Sequence, residues 1–132
     1  MSVRVRIDLD SPTPQYEQVR AQIAALVTVG DLDDGDRLPT VRALANDLGI
    51  APGTIARAYH ELEAAGLVVS RRRIGTLVTA PPRTLVTKAP RDAAAHLAAL
   101  ARVQGLTDQE AHDLLAAALL QHGRAAQPEF AQ

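Results

Sequence analysis

Val3, Val5, Ile7 and Leu9 alternate with Arg4, Arg6, Asp8 and Asp10, and a period of two predicts a short strand with one buried face. The spacing then lengthens. Tyr16, Val19, Ile23 and Leu26 or Val27 recur at helical intervals. Thr13 can cap that helix, Pro14 suits its first turn and Gly30 ends it. The acidic stretch from Asp31 to Asp36 reads as a turn. A second helix is predicted over residues 40–48, with Val41, Leu44, Ala45 and Leu48 on one side and Gly49 as terminator. Only Ile50 and Ala51 separate it from a third. There Pro52 fits a first helical position, and Ile55, Ala58, Tyr59 and Leu62 repeat until Gly66. Short helices joined by a glycine-containing turn form a helix-turn-helix. Residues 67–70 and 76–79 are rich in β-formers and flank Arg71-Arg72-Arg73-Ile74-Gly75, which predicts a hairpin with a basic tip, placed as a wing.

Pro81, Pro82 and Pro90 mark an extended linker over residues 81–91. A helix over about residues 92–104 carries Leu97, Leu100 and Val103 and stops at Gly105. The next opens on Thr107-Asp108-Gln109-Glu110, a capping box, and presents Ala111, Leu114, Leu115, Ala118 and Leu119. A pair of such helices makes too little core to stand alone. Leu97, Leu100, Val103, Leu114, Leu115, Ala118 and Leu119 are therefore expected to meet a second copy. The expected architecture is mostly α with a small β wing. It comprises a winged helix-turn-helix over residues 1–80, the linker, a two-helix dimerisation segment over 92–124 and a flexible tail over 125–132.

With 132 residues, the chain fits one ordinary domain or a compact module with a short appendage, and leaves no room for a separate large catalytic domain. Aromatic residues make up only 2%, so the core must rest on aliphatic side chains and closely packed helices. The absence of cysteine excludes disulfides, thiolate nucleophiles and cysteine-based zinc sites. No apolar run approaches the roughly 18 residues of a spanning helix, and Met1-Ser2-Val3-Arg4 lacks the start of a secretory signal. A cytoplasmic protein with no membrane partner is expected.

The formal net charge of −1 argues mildly against nucleic-acid binding, but its distribution reverses the point. After the acidic turn, Arg37, Arg42, Arg57, Arg71, Arg72, Arg73 and Arg83 follow with only Asp47, Glu61 and Glu63 between them, so the middle of the chain is basic. No catalytic motif is present, and no cofactor is expected. His60, His96, His112 and His122 lack the spacing of a metal site and read as surface or interface residues. The acidic turn is too short for a calcium loop.

On the third helix, Thr54, Arg57 and Glu61 fall opposite the apolar stripe. Gly53 beside them lets backbone approach a DNA strand, and the N–H groups of the first turn, after Pro52, favour phosphate or base-edge acceptors. Thr54 and Arg57 are thus candidate DNA contacts, with arginine able to bridge guanine. Glu61 is expected to orient Arg57, and Tyr59 to pack in the core.

Pro14-Gln15-Tyr16-Glu17-Gln18-Val19, Gly35-Asp36-Arg37-Leu38-Pro39-Thr40-Val41-Arg42, Pro52-Gly53-Thr54, Ala58-Tyr59, Leu62-Glu63-Ala64-Ala65-Gly66-Leu67 and Gly75-Thr76 together resemble the N-terminal domain of the GntR family of bacterial regulators over about residues 12–80. The two-helix tail is similar to that of its short YtrA-type branch. The resemblance implies that Arg42 contacts DNA, that Gly75 shapes a wing tip reaching the minor groove beside Arg71, Arg72 and Arg73, and that the tail dimerises. It implies a repressor of a pseudo-palindromic operator, and leaves open an unidentified small-molecule effector where the DNA-binding domain meets the tail. The wing departs from the family's usual Arg-Arg-Gly-Arg-Gly-Thr, with Arg73 at the first glycine and Ile74 at the following arginine. The alternative reading is a dimeric winged-helix module that docks proteins.

Overall fold

The stripe predicted for the third helix becomes the centre of the N-terminal core, with Ile55, Ala58, Tyr59 and Leu62 all buried. The computed structural model describes residues 3–80 and 87–126. Its elements are α1 (Gln15–Val29), α2 (Val41–Leu48), α3 (Pro52–Ala64), β1 (Val68–Arg71), β2 (Gly75–Val78), α4 (Lys88–Val103) and α5 (Asp108–Ala126). The chain divides into two units, Met1–Leu85 and Val86–Gln132.

In the first unit α3 packs against α1, α2 and β1. Val19, Ile23 and Val27 bring one side of α1 onto it, and Leu44 and Ala45 do the same for α2. Pro14 rather than Thr13 caps α1, without a side-chain bond. Proline has no N–H to contribute and its fixed φ leads straight into the helix. α2 starts one residue later than predicted, and Thr40 caps it, its Oγ1 accepting from the Ala43 amide at 3.0 Å. The turn to α3 starts at Gly49, whose φ of 69° costs glycine little.

β1 and β2 pair antiparallel from Val68 opposite Val78 to Arg71 opposite Gly75. Val68 and Val78 are buried, so the root of the hairpin seals the core while its tip projects. Residues leaving the acidic turn then run along the free edge of β2. Leu38 N donates to Thr76 O at 2.9 Å, Val78 N to Asp36 O at 2.7 Å and Gly35 N to Val78 O at 2.7 Å. This short third edge ties the entrance of α2 to the wing.

The predicted N-terminal strand does not form. Residues 3–8 form no regular element, and side-chain amides rather than a neighbouring strand bond the backbone of Arg6 and Asp8. Arg6 N donates to Gln22 Oε1 at 2.9 Å and Gln22 Nε2 returns a bond to Arg6 O at 2.7 Å. Gln18 does the same for Asp8 at 2.8 and 3.0 Å. Residues i and i+4 on a helix stand about 6 Å apart along the axis, close to the two-residue repeat of an extended chain. Two glutamines on α1 can therefore stand in for a strand edge. Val5 is buried, and Val3 and Ile7 pack against the core, as the alternation implies, whereas Leu9 is 78% exposed.

Tyr59 crosses the core and its hydroxyl donates to Pro39 O at 2.7 Å. Burial pushes the phenol well above its ordinary range. An unfolded tyrosine ionises near pH ~10, so above that pH the unfolded chain loses this proton first and stability falls. Urea midpoints measured from pH 8 to 11 are expected to drop in the alkaline half, and Tyr59→Phe is expected to flatten the drop while costing about 1 kcal/mol at neutral pH. An unchanged alkaline slope in the variant would remove Tyr59 as its cause.

In the second unit, α4 and α5 form a hairpin around Gly105. α4 begins at Lys88, earlier than predicted, and takes in Pro90, because a first-turn amide has no helical partner to lose. The linker expected over residues 81–91 thus contracts at its C-terminal end, and residues 81–86 lie outside the described residues. The capping box at α5 forms, with Thr107 N donating to Glu110 Oε1 at 2.8 Å and Glu110 N to Thr107 Oγ1 at 3.0 Å. α5 continues to Ala126, into the expected tail, and residues 127–132 lie outside the described residues. Within this unit, among the described residues, only Ala101 is buried.

Candidate nucleic-acid interface

α3 presents its polar side as the spacing implies. Ala51 precedes it without a side-chain cap and Pro52 occupies the first turn. A Cβ built on Gly53 would meet nothing within 4 Å, and Gly53 does not have a positive φ. The fold around Gly53 therefore does not itself require glycine there. Thr54 beside it is partly exposed, and its amide donates to Ala51 O at 3.0 Å, leaving the hydroxyl unclaimed among the described residues.

Arg42 lies exposed in the first turn of α2. On α1, Glu17 is engaged by Arg20, accepting from its Nε at 2.7 Å and its Nη2 at 2.6 Å. That hydrogen bonding holds the Glu17 carboxyl below the usual range. Among the described residues Arg42 makes no ion pair.

Arg57 has a different setting. Its guanidinium lies 3.7 Å from the centroid of the Tyr16 ring on α1, and its Nε is 3.6 Å from Glu61 Oε2. Stacking over an aromatic face stabilises a cation by roughly 0.5–1 kcal/mol at exposed sites. Arg57 is thus held between two helices. Glu61 orients it, as the sequence implies; the contribution of Tyr16 comes from a separate helix and is invisible in spacing.

The wing forms despite its departures. Ile74 N donates to Arg71 O at 3.1 Å, and Arg73, third in this turn, has φ of 69°. A type II turn places a positive φ at that position and favours glycine there, so Arg73 carries a left-handed conformation that costs about 1 kcal/mol. Ser70 N donates to Glu63 Oε2 at 3.1 Å, binding the hairpin to the end of α3. Arg71, Arg72 and Arg73 are exposed, and Ile74 is 49% exposed.

Arg37 was not singled out by sequence. Its Nε donates to Ile74 O at 2.8 Å, which attaches the segment before α2 to the wing tip. Arg37, Arg71, Arg73 and Gly75 line one open cleft together with Thr40 and Val41 at the start of α2. Its place directly before the Leu38-Pro39-Thr40 entry to α2 was the available signal. Among the described residues no three histidine, aspartate or glutamate side chains are grouped to share a metal ion, and no helix is long and apolar enough to cross a membrane.

Residues 15–78 match the family model described as "Bacterial regulatory proteins, gntR family". The HTH-type transcriptional regulator Rv1152 of Mycobacterium tuberculosis is 42% identical over 81% of this chain and 87% of its own length. The chain belongs to the GntR family. The HTH-type transcriptional repressor YtrA of Bacillus subtilis is 37% identical over 64% of this chain and 65% of that protein. The DNA-binding domain of AraR, solved in complex with operator ORX1, superposes with a TM-score of 0.52 at 26% identity, covering 60% of this chain and 99% of that one. The GntR helix-turn-helix with its wing is therefore the architecture of the first unit, and its relatives are transcription regulators. The matched residues contain α1, α2, α3 and both strands of the wing.

The residues predicted to dimerise lie in the second unit. Leu100, Val103, Leu114, Leu115 and Leu119 are 45%, 81%, 50%, 48% and 62% exposed. Ala118 is exposed and Leu97 partly so. Leu120 joins them at 79% and was not predicted.

Proposed function

We propose that this GntR-family regulator is a sequence-specific repressor that binds a pseudo-palindromic operator as a homodimer. The observation that carries the reading is the pairing of an exposed, ion-pair-free Arg42 with an α3 entry at Gly53 and Thr54 that its own fold leaves unoccupied. Arg42, Gly53, Thr54 and the first turn after Pro52 meet base edges and phosphates in the major groove. Arg71, Arg72, Arg73 and Gly75 bring the wing to the adjacent minor groove. The names of YtrA, a repressor, and of the AraR domain on its operator support the assignment. The homodimer draws its support from the exposed apolar side chains of α4 and α5, whose burial stabilises association by roughly 25 cal/mol per Å² of apolar surface removed from water.

Enrichment of random genomic fragments by the purified protein tests the reading. The expected product is an inverted repeat whose half-sites are centred one helical turn, about 10 base pairs, apart. Recovery of no shared sequence at low salt overturns it and leaves the protein-docking alternative.

A further inference from the structure

The cleft between the start of α2 and the wing has a volume of about 630 Å³ and is lined by Arg37, Arg71 and Arg73 without any acidic side chain. In a chain of net charge −1, such a gathering of like charges has a local electrostatic cost. Within the described residues none of the three forms an ion pair. Arg37 is also tethered to the wing tip, since its Nε donates to Ile74 O at 2.8 Å, which leaves its terminal amino groups available to a ligand. The first turn of α2 enters the same cleft through Thr40 and Val41. The Thr40 hydroxyl caps one amide of that turn, accepting from Ala43 N at 3.0 Å.

We propose that this cleft seats one phosphodiester of the DNA backbone beside the wing, with Arg37 as the residue that orients it. Three arginines line this open site, and the planar guanidinium suits tetrahedral phosphate oxygens. The contact fixes the wing's register on the duplex without reading a base. The assignment rests on the DNA-binding reading above, and it gives a role to a residue outside both α3 and the wing loop.

The test uses the full chain and its enriched operator. Arg37→Met is expected to weaken binding about tenfold and to lower the slope of log K against log salt by about 0.9 for each half-site. In a scan of single methylphosphonate substitutions, one flanking position per half-site is expected to weaken the wild type about tenfold and Arg37→Met not at all. Arg37→Lys is expected to keep most of the salt slope. Should Arg37→Met fail to fold, Arg71→Gln carries the same scan. An unchanged slope, or a loss in the variant that is uniform across every methylphosphonate position, overturns the site and reduces Arg37 to a wing anchor. A saturable response of the Arg37 Nε–H resonance to inorganic phosphate at constant ionic strength, with operator binding unaffected by Arg37→Met, assigns the cleft to a free anion and also overturns it. If the wild type binds no DNA, the functional reading itself has failed, and that result is visible without any variant.

Discussion

Leu115→Glu combined with Leu119→Glu is expected to leave a folded monomer whose affinity for its operator has fallen at least a hundredfold. The two leucines stand one turn apart on α5 and are 48% and 62% exposed, so neither is needed to hold its own protomer together. In the proposed dimer both become buried. Two carboxylates there must shed water without partners, which costs several kcal/mol beyond the lost apolar contact. A monomer then engages one half-site, and forfeits the effective concentration that makes the second contact intramolecular, a factor of about 10²–10⁴. Light scattering behind a sizing column reads the mass, and gel shift reads the affinity. Helical circular dichroism is expected to persist, which separates dissociation from unfolding. A double variant that still runs as a dimer removes this face from the interface. Val103→Glu, at 81% exposure on α4, then tests the other helix.

The parts of this fold that were legible in the sequence are those in which one side chain pattern had one physical outlet. Ile55, Ala58, Tyr59 and Leu62 repeat at helical spacing and lie buried because a helix has a single inward face. Thr107 and Glu110 form their capping box because both partners are local. Alternation over residues 3–9 declared a buried side but could not say what would bond the backbone. Gln18 and Gln22 took the place of a strand. Pro90 read as a helix breaker, although in a first turn it breaks nothing.

The candidate site divides in the same way. Thr54 and Gly53 were legible from the face of α3 and the family resemblance, and Arg42 from the resemblance alone. The setting of Arg57 on Tyr16 and the tie from Arg37 to the wing both join segments distant in sequence. Spacing within one helix contains no information about such contacts. Arg73 and Ile74, which depart from the usual wing, still permit a hairpin because the Val68 to Val78 root is set by burial and by the third edge rather than by the tip.

The contrast between Arg42 and Arg57 leads to an ordering of effects on DNA binding. Arg42→Ala and Thr54→Ala are each expected to weaken operator binding by about 1–3 kcal/mol, roughly fivefold to more than a hundredfold, because each removes a side chain with no polar partner among the described residues. The pair together is expected to bring binding close to the nonspecific level. Arg57 must leave the Tyr16 ring and Glu61 before it can bridge a guanine, so part of any gain on DNA offsets the contacts it gives up. Arg57→Ala is accordingly expected to cost less affinity than either, and to lower thermal stability through the lost stacking, by roughly 0.5–1 kcal/mol. Gel shifts of the three single variants at one salt concentration, with melting curves of the free proteins, measure both quantities. Arg57→Ala emerging as the most damaging of the three would show that the arginine swings from α1 to the bases on binding and carries the readout. Equal affinity in all four proteins would move the reading surface off the start of α3 altogether.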